Sequence, residues 1–250
     1  MPFLRTITHE TPEDPGAHPF DLPAVRALGD GLELHPKVTF LVGENGSGKS
    51  TVLEGIADKW GFSMQSGNRV GHPGLRQYET ALAPTLRISR SPGIRPMDGF
   101  FLRAESFYNF ATEMDELEED PWTANGYFSY GGRSLHEQSH GEAFLSTFLN
   151  RFDGHGLFLL DEPEAALSPA RQLTFLVRMH DLAKDFSQFI IATHSPIIMA
   201  YPEAYIYRLG PGGIDRLELR ETDHYQITKR VLDAPERTLE QLLADDEEDD

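Results

Sequence analysis

The chain contains no cysteine, which excludes disulfides and thiolate zinc sites and leaves the redox compartment unconstrained. Long apolar runs are absent too: none approaches the roughly 20 residues of a membrane span. The opening MPFLRTITHETPEDPG has neither a basic n-region nor an apolar h-region, so a soluble, cytoplasmic protein with no transmembrane segment of its own is expected. Positive charge is scarce, with 22 Lys and Arg against 40 Asp and Glu for a net charge of -18. A surface of that sign repels a nucleic-acid duplex or an anionic membrane over most of its area. No internal repeat and no long coiled-coil heptad segment occurs. What is there, 250 residues with 39% hydrophobic content, suffices for one large α/β domain, expected over 1–250.

Charge is unevenly spread. Between Gln65 and Arg103 stand Arg69, Arg76, Arg87, Arg90, Arg95 and Arg103 against only Glu79 and Asp98, which makes this window a candidate anion-contacting surface. The terminal DDEEDD, residues 245–250, reads as a solvated, disordered acidic tail. From about 62 to 133 the chain is rich in Gly, Pro and Arg and then acidic, and it lacks clear periodicity. An inserted helical subdomain followed by a loop is expected there.

Three short apolar runs each end at a polar cluster: KVTFLV before Gly43-Glu44-Asn45-Gly46, GLFLL before Asp161-Glu162, and QFIIA before Thr193-His194-Ser195. Such runs read as buried strands of a mainly parallel sheet. Ligands bind beyond the carboxyl ends of such strands, so all three clusters are expected at one site. Helices fill the intervals. Lys49 to Trp60 puts Val52, Leu53, Ile56 and Trp60 on one face and ends at a capping Gly61; Glu142 to Phe152 groups Phe144, Leu145, Phe148, Leu149 and Phe152. Ser168-Pro169 starts a third helix, whose Leu173, Leu176, Val177 and His180 form a stripe expected to pack on the core.

GENGSGKS, Gly43 to Ser50, matches G-x-x-x-x-G-K-[ST] between a predicted strand and a predicted helix. In that setting the backbone N–H groups of Asn45, Gly46, Ser47, Gly48, Lys49, Ser50 and Thr51 can turn toward phosphates at a helix N-terminus. Lys49 reaches the β- and γ-phosphates, and the Ser50 hydroxyl can ligate magnesium. Asp161 supplies a second group for the magnesium shell. Glu162, beside it, is a candidate base for an attacking water, and His194 is placed to hydrogen-bond a γ-phosphate.

Together, Gly43 to Thr51, SHGE at Ser139 to Glu142, LLDEPEAAL at Leu159 to Leu167 and THS at Thr193 to Ser195 resemble the nucleotide-binding domain of ABC-type ATPases. The soluble branch near the SMC and RecF DNA-repair ATPases is more similar than transporter subunits. DGFFLRAESFYN, SLHEQSHGE and ATHSPIIMAYPEAYIY are similar to a group of short stand-alone bacterial ATPases. The resemblance implies a P-loop NTPase fold, ATP as substrate, Mg2+ as cofactor and an ATP-dependent homodimer. In that dimer Ser139 and Gly141 form a signature loop on the γ-phosphate bound to the opposite protomer, and Ala166 to Pro169 crosses the interface. His140 and Glu142 replace the glycine and glutamine of many members. FFLRAES offers Glu105 or Ala104 where the family has a magnesium-contacting glutamine, and Phe20 is the candidate for stacking on adenine.

His136-Glu137-Gln138-Ser139-His140 also fits H-E-x-x-H, a zinc-protease pattern. Zinc needs both imidazoles on one continuous helix. YGGRS before the motif and Gly141 after it instead put Ser139 to Gly141 at a helix N-terminus, where an anion is favoured. The leading expectation is therefore an ATP-hydrolysing, ATP-gated dimer acting on a DNA or protein partner in repair or defence. The alternatives are an ATPase subunit of a membrane transporter and a non-hydrolysing, ATP-dependent interaction module.

Overall fold

A computed structural model describes residues 1–63, 67, 79–103 and 140–244. The expected acidic tail, Ser139, His136, Glu105, Arg69 and Arg76 lie outside the described residues.

The three apolar runs form strands β3 (Val38–Val42), β6 (Gly156–Asp161) and β7 (Gln188–Ala192), every residue of them buried. They are neighbours in a six-stranded sheet of order β5-β6-β7-β3-β8-β9, with β5 at Asp98–Arg103, β8 at Tyr205–Gly210 and β9 at Gly213–Leu217. All pairings are parallel except β8 with β9. Side chains alternate between the faces, as the two-residue period requires: Phe40, Phe158 and Phe189 face one core, Leu41, Leu159 and Ile190 the other.

The first core is covered by α3 (described over His140–Asn150), α4 (Pro169–Lys184) and α5 (Pro196–Met199). Phe144, Phe148, Phe152 and Phe175 pack there without exposure above 1%, each burial stabilising by roughly 1.5–3 kcal/mol. The second core is covered by α2 (Lys49–Trp60), α1 (Pro23–Ala27) and an antiparallel sheet of β1 (Leu4–His9), β2 (Leu32–Glu33) and β4 (Leu86–Arg90) in the order β2-β1-β4. Buried Gln188 ties the two sheets together: its carbonyl accepts from the Phe3 and Leu4 N–H groups at 2.9 Å, and its amide donates to Leu4 O at 2.8 Å. Beyond β9, helices α6 (Asp223–Asp233) and α7 (Pro235–Ala244) form a C-terminal hairpin.

Two expectations change. Residues 79–103, read as part of a helical insertion, contain β4 and β5, one strand of each sheet; residues 104–133 are outside the described part. On α4 the stripe expected in the core is split: Leu173 and Val177 are turned outward, 58% and 64% exposed, Leu176 packs at the edge of the core, and the buried face carries Gln172, Phe175, Met179, Leu182 and Ala183. This helix has two apolar stripes, and the one with the larger rings and longer chains fills the space above the sheet.

Candidate nucleotide site at the strand ends

The loop after β3 turns on glycines because the chain must pass close to β8. At Gly43, φ is 146°, and an added Cβ would lie 2.2 Å from the Leu209 carbonyl oxygen. Gly48, at φ 96°, takes the left-handed conformation that starts α2. Lys49 follows as the first helical residue. Its Nζ donates to the Gly43 and Glu44 carbonyls at 2.9 and 3.0 Å. Burial lowers the lysine pKa, opposed by the Glu162, Asp161, Glu44 and Glu164 carboxylates.

Ser50 Oγ donates to Asp161 Oδ1 at 3.1 Å, joining the helix to the end of β6. Asp161 is 7% exposed. Burial pushes its carboxyl up from 3.8 to about 6, against the Ser50 hydrogen bond and the Arg103 charge, which pull it down. Arg103 pairs with Asp161 in the β5–β6 register and places Nη2 2.9 Å from Glu54 Oε1 and Nε 3.8 Å from Asp161 Oδ2. This arginine therefore belongs to the site and not to the anion-contacting window. Within that window Arg87 pairs with Glu10 at 2.7 Å, and the Arg90 guanidinium lies 4.2 Å from the centre of the Trp60 ring.

Glu162 has a left-handed backbone, φ 50° and ψ 54°, a conformation that costs a non-glycine residue about 1 kcal/mol or more. Its N–H is bonded to Ala192 O on β7 at 2.9 Å. With the chain bent there, the Glu162 side chain shares a cavity of about 450 Å³ with Asn45, Gly46, Lys49, Ser50 and Thr51. His18 lines the same cavity, whereas Phe20 packs against His9 with ring centres 5.6 Å apart. His194 arrives from the end of β7: its Nε2 stands 3.5 Å from Glu162 Oε1, and its N–H donates to Glu164 Oε1 at 2.5 Å. Ser195 then caps α5 by accepting from the Ile197 and Ile198 N–H groups, and donates to Gln172 Oε1 at 2.5 Å.

Gly141 does not line this cavity. It lies against the turn after β6, where an added Cβ would meet Ala166 O at 2.3 Å. Arg171 Nη2 meets Glu142 Oε1 at 3.0 Å. Ser139 falls outside the described residues, and so does the His136 half of the H-E-x-x-H match.

Four groups of this cluster were not assigned to it from the sequence. Glu164, two residues beyond the noticed acids, is half-buried, and the burial of its carboxyl raises its pKa against hydrogen bonds led by that from the His194 N–H. Arg103 was legible in principle, as the polar end of an apolar strand. Gln172 looked like an ordinary helix residue. His224, at the start of α6, puts Nε2 2.9 Å from His194 Nδ1, and no local pattern announces it.

A solved structure described as an inward-facing conformation of a metal-chelate type ABC transporter superposes on 91% of the chain and 88% of its own, with a TM-score of 0.50 at 16% identity. This is the fold of an ABC-type ATPase domain. The ADP conformation of an ATP-binding cassette of an ABC transporter covers 91% of this chain and 98% of its own at TM-score 0.48 and 15% identity, and the SMC head domain from Thermotoga maritima covers 86% of this chain and 98% of its own at TM-score 0.44 and 16% identity. Residues 131–200 match the family described as "AAA domain, putative AbiEii toxin, Type IV TA system". ABC transporter G family member STR2 of Medicago truncatula is 25% identical over 173 residues, 64% of this chain. The chain spans 24% of the length of that curated relative. Among the described residues no helix is long and apolar enough to cross a membrane.

Proposed function

We propose that the chain binds and hydrolyses ATP, and that two copies close over two ATP molecules to drive a partner. The observation that carries this reading is the convergence of Lys49, Ser50, Asp161, Glu162 and His194 at the ends of three adjacent parallel strands. Asn45 to Thr51 hold the phosphates through backbone N–H groups, and Lys49 neutralises the β- and γ-oxygens. Ser50 Oγ and Asp161 Oδ1, 3.1 Å apart, are oxygen donors of the kind a hard cation requires, and the buried acid gains from a positive neighbour, so the residues fit Mg2+. When bound, that ion supplies charge neutralisation on the phosphates.

Glu162 accepts a proton from the attacking water as the water oxygen bonds to the γ-phosphorus. The bond to the ADP oxygen breaks in the same displacement, with ADP and phosphate as products. His194 donates from Nε2 to a γ-phosphate oxygen. Ser139 and Gly141 of a second copy complete the site across the dimer. Single-domain organisation over 1–250, a cytoplasmic location and a DNA or protein partner in repair or defence belong to the same proposal. The defence role is supported by the toxin named in the matched family description. A transporter motor is the second reading, favoured by the plant transporter relative; it requires a separate membrane subunit.

The test is phosphate release from ATP and magnesium by the purified chain, with light scattering of Glu162→Gln in ATP. Turnover that disappears in Lys49→Ala, and a doubled mass for Glu162→Gln, are expected. Absence of turnover in the wild type under all partner additions (duplex DNA, lipid vesicles, protein alone) overturns hydrolysis, and a monomer under trapping conditions overturns the dimer.

A further inference from the structure

His194 and His224 share a hydrogen bond, Nδ1 to Nε2 at 2.9 Å, with ring centres 5.1 Å apart. The charged groups facing the pair are Lys49 and Glu44 from the phosphate loop, Glu162 from the turn after β6, and Asp223 from α6 itself. Burial lowers the pKa of both imidazoles; Lys49 lowers them further while the carboxylates oppose it. Two neutral rings joined in this way carry one proton between them, so two arrangements exist.

In the first, His224 Nε2–H donates to His194 Nδ1, and the second ring carries its own hydrogen on Nε2. That hydrogen then sits on the nitrogen 3.5 Å from Glu162 Oε1, a favourable meeting of dipole and charge. In the second, His194 donates from Nδ1 and turns a bare lone pair on Nε2 toward the same carboxylate, which is repulsive. His194 Nε2 is buried and has no hydrogen-bond partner among the described residues, as suits a donor whose acceptor comes with a ligand.

We infer that His224 is a positioning residue, which by donating to Nδ1 holds His194 in the tautomer that carries its hydrogen on Nε2. This rests on the proposed role of His194 as a donor to the γ-phosphate, because only that tautomer can donate there. It also links the site to the C-terminal hairpin: His224 is the second residue of α6, fixed by the Thr222 cap, whose Oγ1 accepts from the Tyr225 N–H at 3.3 Å. Displacement of α6 removes the donor.

The tautomer is read directly from the imidazole 15N shifts of His194 in histidine-labelled protein without nucleotide, at a pH above the usual imidazole range. In the wild type, Nε2 is expected to show the protonated shift and Nδ1 the bare one. His224→Leu should convert this to a mixture, and His224→Gln, whose amide donates from a similar position, should keep it. Turnover in His224→Leu should fall about tenfold, the worth of one hydrogen bond, with KM for ATP unchanged, and His224→Gln should restore it. A hydrogen on Nδ1 in the wild type overturns the inference without any variant. An unchanged tautomer or an unchanged kcat in His224→Leu overturns it as well. A wild type that shows the Nε2–H tautomer but never hydrolyses ATP removes the functional reading and leaves the hydrogen-bond assignment standing.

Discussion

The cluster divides into a buried half and an open half, and the contrast separates two tasks. Lys49, Ser50 and Asp161 are closed on one another and on loop carbonyls by hydrogen bonds of 2.9, 3.0 and 3.1 Å. Glu162 and His194 sit at the rim, 3.5 Å apart, with 42% and 29% of their side chains exposed. The closed half is preorganised to bind charge, because its dipoles are fixed before a ligand arrives. The open half has a strained Glu162 backbone and a His194 Nε2 that lacks a hydrogen-bond partner among the described residues, and in the proposed function a phosphate oxygen fills that place.

The strongest way to break this division is Glu162→Gln. Turnover should fall by roughly 10² to 10⁴, the usual worth of a general base, with the fold and the melting temperature unchanged because the side chain is at the rim. Phosphate release and a thermal melt on the same sample check both parts; a collapse in stability would make Glu162 a structural member of the closed half.

The next effect belongs to Asp161. Its folded pKa of about 6 lies above the ordinary 3.8, so the folded state holds the proton more tightly. Stability of the nucleotide-free protein should therefore fall as pH rises from about 4 to about 6, by about 3 kcal/mol at full ionisation. Above that window the penalty is complete, and Asp161→Asn should be more stable than the wild type by up to that amount while binding magnesium nucleotide poorly. Denaturant midpoints at pH 4 and pH 8 decide it: equal differences between the two proteins at both values would remove the linkage.

The smallest effect concerns α4. Leu173→Ser and Val177→Ser change side chains that are mostly exposed, so each should cost less than about 0.5 kcal/mol, whereas Phe175→Ala on the opposite face should cost about 3–5 kcal/mol. Losses of equal size would mean that the exposed stripe is covered in solution.

This helix also shows where sequence reading stops. Leu173, Leu176 and Val177 have helical spacing, and so do Phe175, Met179 and Leu182; periodicity finds both stripes, but the space above the sheet takes the second and, of the first, only the edge residue Leu176. The phosphate loop, Asp161, Glu162 and His194 were legible because each ends a short apolar strand, and strand ends in a parallel sheet share an edge. Gly61 was legible as the cap of α2 because a left-handed residue must end that helix. Arg103 was misplaced, since counting charge along a window ignores that β5 lies beside β6. His224 was invisible, because its contact with His194 spans 30 residues and depends on how α6 packs beyond β9.

The division itself is tested most directly by titrating ATP with magnesium into Lys49→Ala and Glu162→Gln side by side. The account expects Glu162→Gln to saturate with wild-type affinity, and Lys49→Ala to lose about 10² or more in affinity through the missing charge-assisted contacts. Equal affinities in the two variants, whether both intact or both lost, would contradict it.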